Sequence, residues 1–157
     1  MGAKKIRLEP VADELPADFE ELRAEARAEG HRFLNRLAED WAAGAMRFDG
    51  RGERLLAAFV DGELAGVGGL TIEPTDPTAL RMRRFYVRPA HRRTGVGRQL
   101  ALALLDNAKG DAKAVTINAQ SASFPFWEAL GFIRVTRDGL THAMDLRATS
   151  VGSPNGP

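Results

Sequence analysis

The sequence predicts an α+β domain: a mixed, mostly antiparallel sheet of about seven strands, flanked in three layers by about four helices. Three observations carry this. Two apolar runs, Leu55 to Val60 and Leu64 to Ile72, are joined by Asp61-Gly62, a two-residue hairpin signal. A strand ending in Phe85-Tyr86-Val87 is followed by a helix-spaced run and then by a further strand at Val115, which makes one parallel crossover. Helix-spaced stretches lie on both sides of these strands, before the first hairpin and before a last one.

In chain order, Ile6, Leu8 and Val11 fit a first strand. Pro16-Ala17-Asp18 opens a helix carrying Phe19, Leu22 and Ala26 at helical spacing, and Gly30 ends it. A second helix over 31–45 places Phe33, Leu34, Leu37 and Trp41 near one face. After the hairpin, residues 73–78 form a loop with two prolines, and a central strand runs from Leu80 to Val87. Pro89 has no N–H for a central ladder, so that strand stops near Arg88. Val96, Leu100, Ala103, Leu104 and Ala108 mark the next helix, stopped by Gly110. Val115 to Ala119 is a strand, and Phe124 to Leu130 is a short helix before Gly131. Residues 133–136 and 142–146 form the last hairpin, around Asp138-Gly139. One domain is expected over 1–147, with 148–157 a mobile Pro/Gly-rich tail.

The informative stretch lies between the central strand and its helix. Gly95 and Gly97 leave the backbone bare, and the first turn of the helix has N–H groups without partners in the chain. Such a helix start attracts anions, phosphate above all. Arg92, Arg93 and Arg98 surround it with positive charge. The stretch Arg92-Arg93-Thr94-Gly95-Val96-Gly97-Arg98 therefore reads as a diphosphate cradle. No Gly-Lys-Ser/Thr follows, so it is not the nucleoside-triphosphate loop. The glycines are two apart and a third is missing, so it is not the dinucleotide fingerprint.

Arg92-x-x-Gly95-x-Gly97, after a strand ending in Tyr-Val-x-Pro, resembles the acyl-coenzyme-A loop of the GNAT N-acetyltransferase superfamily. A second segment is similar to that family's late motif: Ala119 to Phe132, with Phe126-Trp127-Glu128-Ala129-Leu130-Gly131-Phe132 where relatives usually end Phe-Tyr-Glu-x-Leu-Gly-Phe. The resemblance covers about residues 4 to 147 and implies the GNAT acyl-CoA N-acyltransferase fold. It also implies acetyl-CoA as co-substrate and direct acetyl transfer to a primary amine of a small molecule or peptide. Arg92 to Arg98 would hold the diphosphate, and Phe85, Tyr86 and Val87 would offer a strand edge to the pantetheine amides. Gln120 and Phe126 would add contacts to the coenzyme. The backbone N–H of Val87 would serve the oxygen of the tetrahedral intermediate. Relatives often form homodimers.

Two positions depart from the family pattern. Trp127 stands where a tyrosine commonly acts as general acid, and an indole N–H does not release its proton near neutral pH. Arg81 stands where many relatives carry a glutamate, and an arginine is no base. Tyr86, Glu73, His91 and His142 remain as candidates for proton transfer, as do a water chain and an amine that arrives neutral. A catalytically degenerate acyl-CoA-binding protein is the alternative these departures keep open.

The bulk numbers exclude other classes. With no cysteine there is neither a disulfide nor a thiolate metal site, and no metal is expected. No apolar run approaches the ~18 residues of a membrane helix. Residues 1–5 lead into a strand without an apolar h-region, so no signal peptide is expected and the compartment expected is the cytoplasm. A net charge of +1 gives no general attraction to nucleic acid, and the aromatics are not interleaved for base stacking. Charge is nevertheless uneven: acids dominate between Glu9 and Glu29, whereas Arg81 to Arg98 holds seven arginines and no acid. For Arg81, Arg83, Arg84 and Arg88 a solvated strand face, or pairing with the acidic first helix, is favoured over a site for an anionic substrate. Trp127 is expected to pack as a core aromatic, and His31 and His91 to face solvent. His142 reads equally as structural or as part of the site.

Overall fold

A computed structural model describes residues 4–137 and 139–147. Asp138 of the last hairpin and the expected tail at 148–157 lie outside the described residues. Among the described residues, seven strands and four α-helices follow one another in the expected order. They are β1 (Ile6–Pro10), α1 (Phe19–Ala28), α2 (Phe33–Ala43), β2 (Arg54–Val60), β3 (Glu63–Ile72), β4 (Ala79–Val87), α3 (Val96–Ala108), β5 (Ala114–Ile117), α4 (Phe124–Ala129), β6 (Ile133–Arg137) and β7 (Leu140–Asp145). One sheet has the order β1-β2-β3-β4-β5-β7-β6. Every pairing is antiparallel except β4 with β5, the strands that α3 connects. No helix among the described residues is long and apolar enough to cross a membrane.

The hydrophobic pattern explains the layers. Phe19, Leu22 and Ala26 of α1 and Leu34, Leu37 and Trp41 of α2 are buried against Leu55, Ala57, Leu64 and Val67 on one face of the sheet. Val96, Leu100 and Leu104 of α3, with Trp127 of α4, are buried against Leu56, Ala58, Leu80, Met82 and Val115 on the other. The middle strands are thus covered on both faces, which is why β3 reads as an apolar run rather than an alternation.

Two features open the sheet between β4 and β5. The first is a bulge. Val67 of β3 faces Tyr86 and Gly69 faces Arg83, so Arg84 and Phe85 together oppose Gly68. Arg84 takes φ 56°, a left-handed conformation that a non-glycine residue adopts only under tertiary constraint. Glycines in β3 make room for it. A Cβ on Gly66 would lie 2.5 Å from the Tyr86 carbonyl oxygen, and one on Gly68 would lie 2.7 Å from the Phe85 ring. The second feature is a pin on β5. The hydroxyl of Thr141 accepts from the Ala119 N–H at 2.9 Å and donates to the Ile117 carbonyl at 3.2 Å. It draws the chain toward β7, so β5 ends at Ile117 rather than at the expected Ala119. Parallel pairing covers only Ala79–Met82 against Ala114–Ile117. Beyond Met82, β4 has no neighbour on that side among the described residues.

Gly66→Ala is expected to destabilise the domain by roughly 1–3 kcal/mol, because the added methyl meets backbone that cannot rotate away. Urea unfolding measures this, and an unchanged midpoint would show that the close approach of β3 to β4 is not a constraint.

Candidate functional site

The open edge of β4 borders a cavity of about 960 Å³ that reaches both faces of the sheet. On the α3 side lie Phe85, Val87, Gly97 and Phe126; on the α1/α2 side lie His31, Phe33, Arg36, Arg83 and Arg84. The bulge explains this division. Phe85 and Val87 pack with the α3 core, whereas Tyr86 joins the core under α1 and α2. Arg83 is paired with Gly69, whose Cβ direction points at Phe48 in that same second core.

Backbone direction decides what the edge offers. The Arg88 N–H donates to the Ala65 carbonyl on β3 at 2.8 Å. Main-chain groups alternate along a strand, so those of Val87 point the other way, into the gap. The Val87 carbonyl confirms the direction by accepting from Arg92 Nε at 3.0 Å. The Val87 N–H is therefore a donor facing the cavity.

At the start of α3, Arg93 at φ 63° and Gly95 at φ 92° bend the chain into the helix. The Gln99 N–H meets the Gly95 carbonyl at 3.0 Å, and the amides of Val96, Gly97 and Arg98 have no acceptor among the described residues. Arg93, Gly95, Gly97 and Arg98 line the cavity. Thr94 and Val96 do not present side chains to it. The Thr94 hydroxyl donates to the His91 carbonyl, and Val96 is buried in the core, so both hold the turn in shape. Gln120, exposed, lines the far wall.

Arg92 has a different place from the one its position in the motif suggests. Its guanidinium donates to both oxygens of Glu29, the residue that caps the C-terminal end of α1, at 2.6 and 3.0 Å, and lies over the Tyr86 ring. Arg92 still lines the cavity, but with its charge paired to Glu29 the unpaired charge beside the helix start is that of Arg93 and Arg98. Tyr86 donates its hydroxyl to Glu29 at 2.5 Å, and burial followed by that carboxylate pushes the phenol well above its usual range. It is no acid for the gap. Arg88 pairs with Glu25 at 2.6 Å, so for Arg88 the pairing with the acidic first helix is the arrangement found.

None of the other proton-transfer candidates from the sequence lines the cavity. His142 is fully buried between Thr141 and Glu128. His91 is also buried, against Glu63, rather than facing solvent as expected. Glu73 is 1% exposed. Burial works against its charge, but the Arg81 guanidinium, the Thr75 amide and hydroxyl, and the Thr116 hydroxyl outweigh it and hold the carboxyl at about 2. Arg81 is the counter-ion of that buried carboxylate. Trp127 is 3% exposed, edge-on to Phe85, Phe126 and Phe132, and packs the wall of the cavity as a core aromatic. His31, expected in solvent, lies instead in the cavity wall beside Phe33 and Tyr86. No local sequence signal marks it, because the turn between α1 and α2 reaches the gap only through tertiary packing.

The family model for an acetyltransferase (GNAT) domain matches residues 18–145. The chain belongs to the GNAT acetyltransferase family. Solved GNAT-like structures agree on the fold. A protein assigned as an acetyltransferase from Exiguobacterium sp. 255-15 superposes with a TM-score of 0.86 at 23% identity, over 95% of this chain and 99% of that one. The PaiA N-acetyltransferase of Thermoplasma acidophilum, solved with coenzyme A, gives 0.67 at 18% identity, over 90% and 99%. YncA of Salmonella typhimurium, solved with acetyl-CoA, gives 0.60 at 22% identity, over 92% and 95%.

Within this GNAT domain the Glu73–Arg81 pair makes acid stability testable. Its folded pKa, about 2, lies below the ordinary 4.5. The pair therefore contributes stability above pH 4.5, lost as pH falls toward 2, on the order of 3 kcal/mol in all. Glu73→Gln is expected to lower stability at pH 7 by about that amount and to flatten the loss between pH 4.5 and 2. Parallel pH–stability curves for the two proteins would refute the assignment.

Proposed function

We propose that this GNAT domain binds acetyl-CoA through the cavity between β4 and β5 and transfers the acetyl group directly to a primary amine of a small molecule or peptide. The observation that carries the reading is one continuous cavity with unpartnered helix-start amides at one end and a free strand edge at its middle. The residues present fit the coenzyme. The amides of Val96, Gly97 and Arg98 would take the diphosphate, with Arg93 and Arg98 beside them. A Cβ at Gly97 would stand in ordinary contact, 3.4 Å from Val87 and 3.5 Å from Phe126, so a longer side chain there would enter the space beside the strand. The β4 edge would pair with the pantetheine amides as an added strand. PaiA and YncA, solved with coenzyme A and acetyl-CoA, support the same occupant here.

Acetyl-CoA supplies the acyl group as a thioester. The Val87 N–H would donate to the acyl oxygen as charge builds on it. The new bond joins the amine nitrogen to the acyl carbon, and the carbon–sulfur bond breaks. Sulfur leaves as thiolate, which a thiol pKa near ~8.5 makes tolerable without an acid. The amine's proton passes to water or to His31, whose imidazole is the proton-accepting side chain in the lining. Free thiol released from acetyl-CoA across an amine panel tests turnover. Tight coenzyme binding without release for any amine would favour the degenerate acyl-CoA-binding protein, the reading that Trp127 and Arg81 recommend.

Two variants sharpen this. Gly97→Asp puts a carboxylate in the first turn of α3, where the helix end favours it, so thermal stability is expected to hold or rise. Diphosphate would be repelled, and coenzyme A affinity by calorimetry is expected to fall at least about 100-fold. Undiminished affinity would place the cradle elsewhere. Trp127→Tyr is expected to leave turnover within about threefold, since packing rather than proton donation is the role of this residue. A rise of about 100-fold would show that a missing acid limits the rate.

A further inference from the structure

The α1/α2 side of the cavity is unusual for a pocket that would receive an amine, because it is cationic. Arg36, Arg81, Arg83 and Arg84 line it, and no lining residue is Asp or Glu. Two of the four charges are answered from behind the wall. Arg81 is held by Glu73 at 2.8 Å, and Arg84 has Asp40 at 3.6 Å. The other two are not. Arg83 donates Nε to the Thr71 hydroxyl at 2.7 Å, which fixes the arm; Glu73 and Glu53 act on its charge from a distance, but no carboxylate forms an ion pair with it among the described residues. Arg36 reaches the same space from α2 and forms no ion pair among the described residues. Arg84 Nε is buried with no partner. Half-burial lowers the affinity of Arg83 and Arg84 for their protons; Arg81 and Arg84 add to the effect at Arg83 against Glu73 and Glu53, and at Arg84 the opposing charge of Asp40 and the adding charge of Arg36 leave the net shift downward.

Guanidiniums crowded in a half-buried wall repel one another and lose hydration, so a bare site of this kind is costly. A bound anion removes both penalties. The planar fork of Arg83, already oriented by Thr71, suits two parallel hydrogen bonds to a carboxylate or phosphate.

We infer that the amine acceptor carries an anionic group, carboxylate or phosphate, which Arg83, Arg84 and Arg36 receive on the α1/α2 side of the cavity while its amine reaches the strand gap. The inference rests on the acyltransferase reading of the same cavity, and it is opposed to a polyamine or other purely cationic acceptor. The coenzyme's own diphosphate is accounted for separately, at the start of α3 on the opposite face.

The test uses the full chain saturated with coenzyme A, so that the cradle is filled, in buffer free of phosphate and carboxylates. Calorimetric titration compares matched pairs: glycine with glycinamide, L-glutamate with L-glutamine, and O-phosphoethanolamine with ethanolamine, with spermidine as a cationic control. At least one acidic member is expected to bind 10-fold or more tighter than its neutral counterpart. Arg83→Gln should abolish that preference, Arg83→Lys should retain part of it, and coenzyme A affinity should stay within about twofold in both. Preference within the carboxylate pairs or within the phosphate pair identifies the group. Equal binding of acidic and neutral members, preference for spermidine, or no binding by any of them overturns the inference, with coenzyme A still bound. Failure of the wild-type chain to bind coenzyme A would instead remove the acyltransferase reading on which this stands.

Discussion

The separation of β4 from β5 is the constraint on which the rest of the site depends. A sheet of this width gains most by continuous pairing, and the two strands do pair for four residues each. The bulge at Arg84 and Phe85 then turns β4 away, while Thr141 turns the end of β5 toward β7. Each turn is built into the core. The bulge sits where Gly66 and Gly68 let β3 come close, and Phe85 is wedged among Phe126 and Trp127. The gap is therefore a rigid consequence of packing. It turns one strand edge into a row of available main-chain groups without the exposure that makes edges prone to aggregation, because the gap lies inside the domain.

The same bulge sorts the charges. An ordinary strand would alternate Arg83, Arg84 and Phe85 across the sheet. With one residue inserted, Arg83 and Arg84 share the α1/α2 side and Phe85 keeps the α3 side. The seven arginines between residues 81 and 98 then divide by task. Arg88 and Arg92 tie α1 to the end of β4 through Glu25 and Glu29, and Arg81 neutralises Glu73. Arg93 and Arg98 stand at the helix start, and Arg83 and Arg84 face the cavity. A charge run that reads as uniform is four separate devices.

Most of the fold was legible because each element announced itself locally: the Asp61-Gly62 turn, the helical spacing from Val96, Pro89 after Val87. The helix start proposed as the cradle was legible for the same reason, since Gly95, Gly97 and the helix after them lie within one short stretch. What stayed hidden depends on partners distant in the chain. Nothing near Arg92 says that Glu29 will hold it, and nothing near His31 says that it will reach β4. The glycines of β3 read as weak points in a strand, although their meaning is the clearance that Tyr86 and Phe85 need. The bulge left no trace in the pattern of β4, whose arginines obscure any alternation.

On the proposed reaction, the cationic wall also bears on how the gap would work without a glutamate or a tyrosine. An acyl acceptor must attack as a free amine, and positive surroundings favour that form over ammonium. A guanidinium about 7 Å from an ammonium, at an effective dielectric near ~20, disfavours protonation by roughly 2 kcal/mol, more than one pKa unit. Arg83 and Arg84 would thus shift the acceptor toward its reactive state, doing through field what a base does through a bond. A purely cationic molecule would be repelled before it arrived. An acceptor with its own negative group would be drawn in by the same charges that disfavour its ammonium form, so on this proposal binding and activation would come from one arrangement. Arg81, at the position where relatives place a base, belongs to this wall and is fixed in it by Glu73.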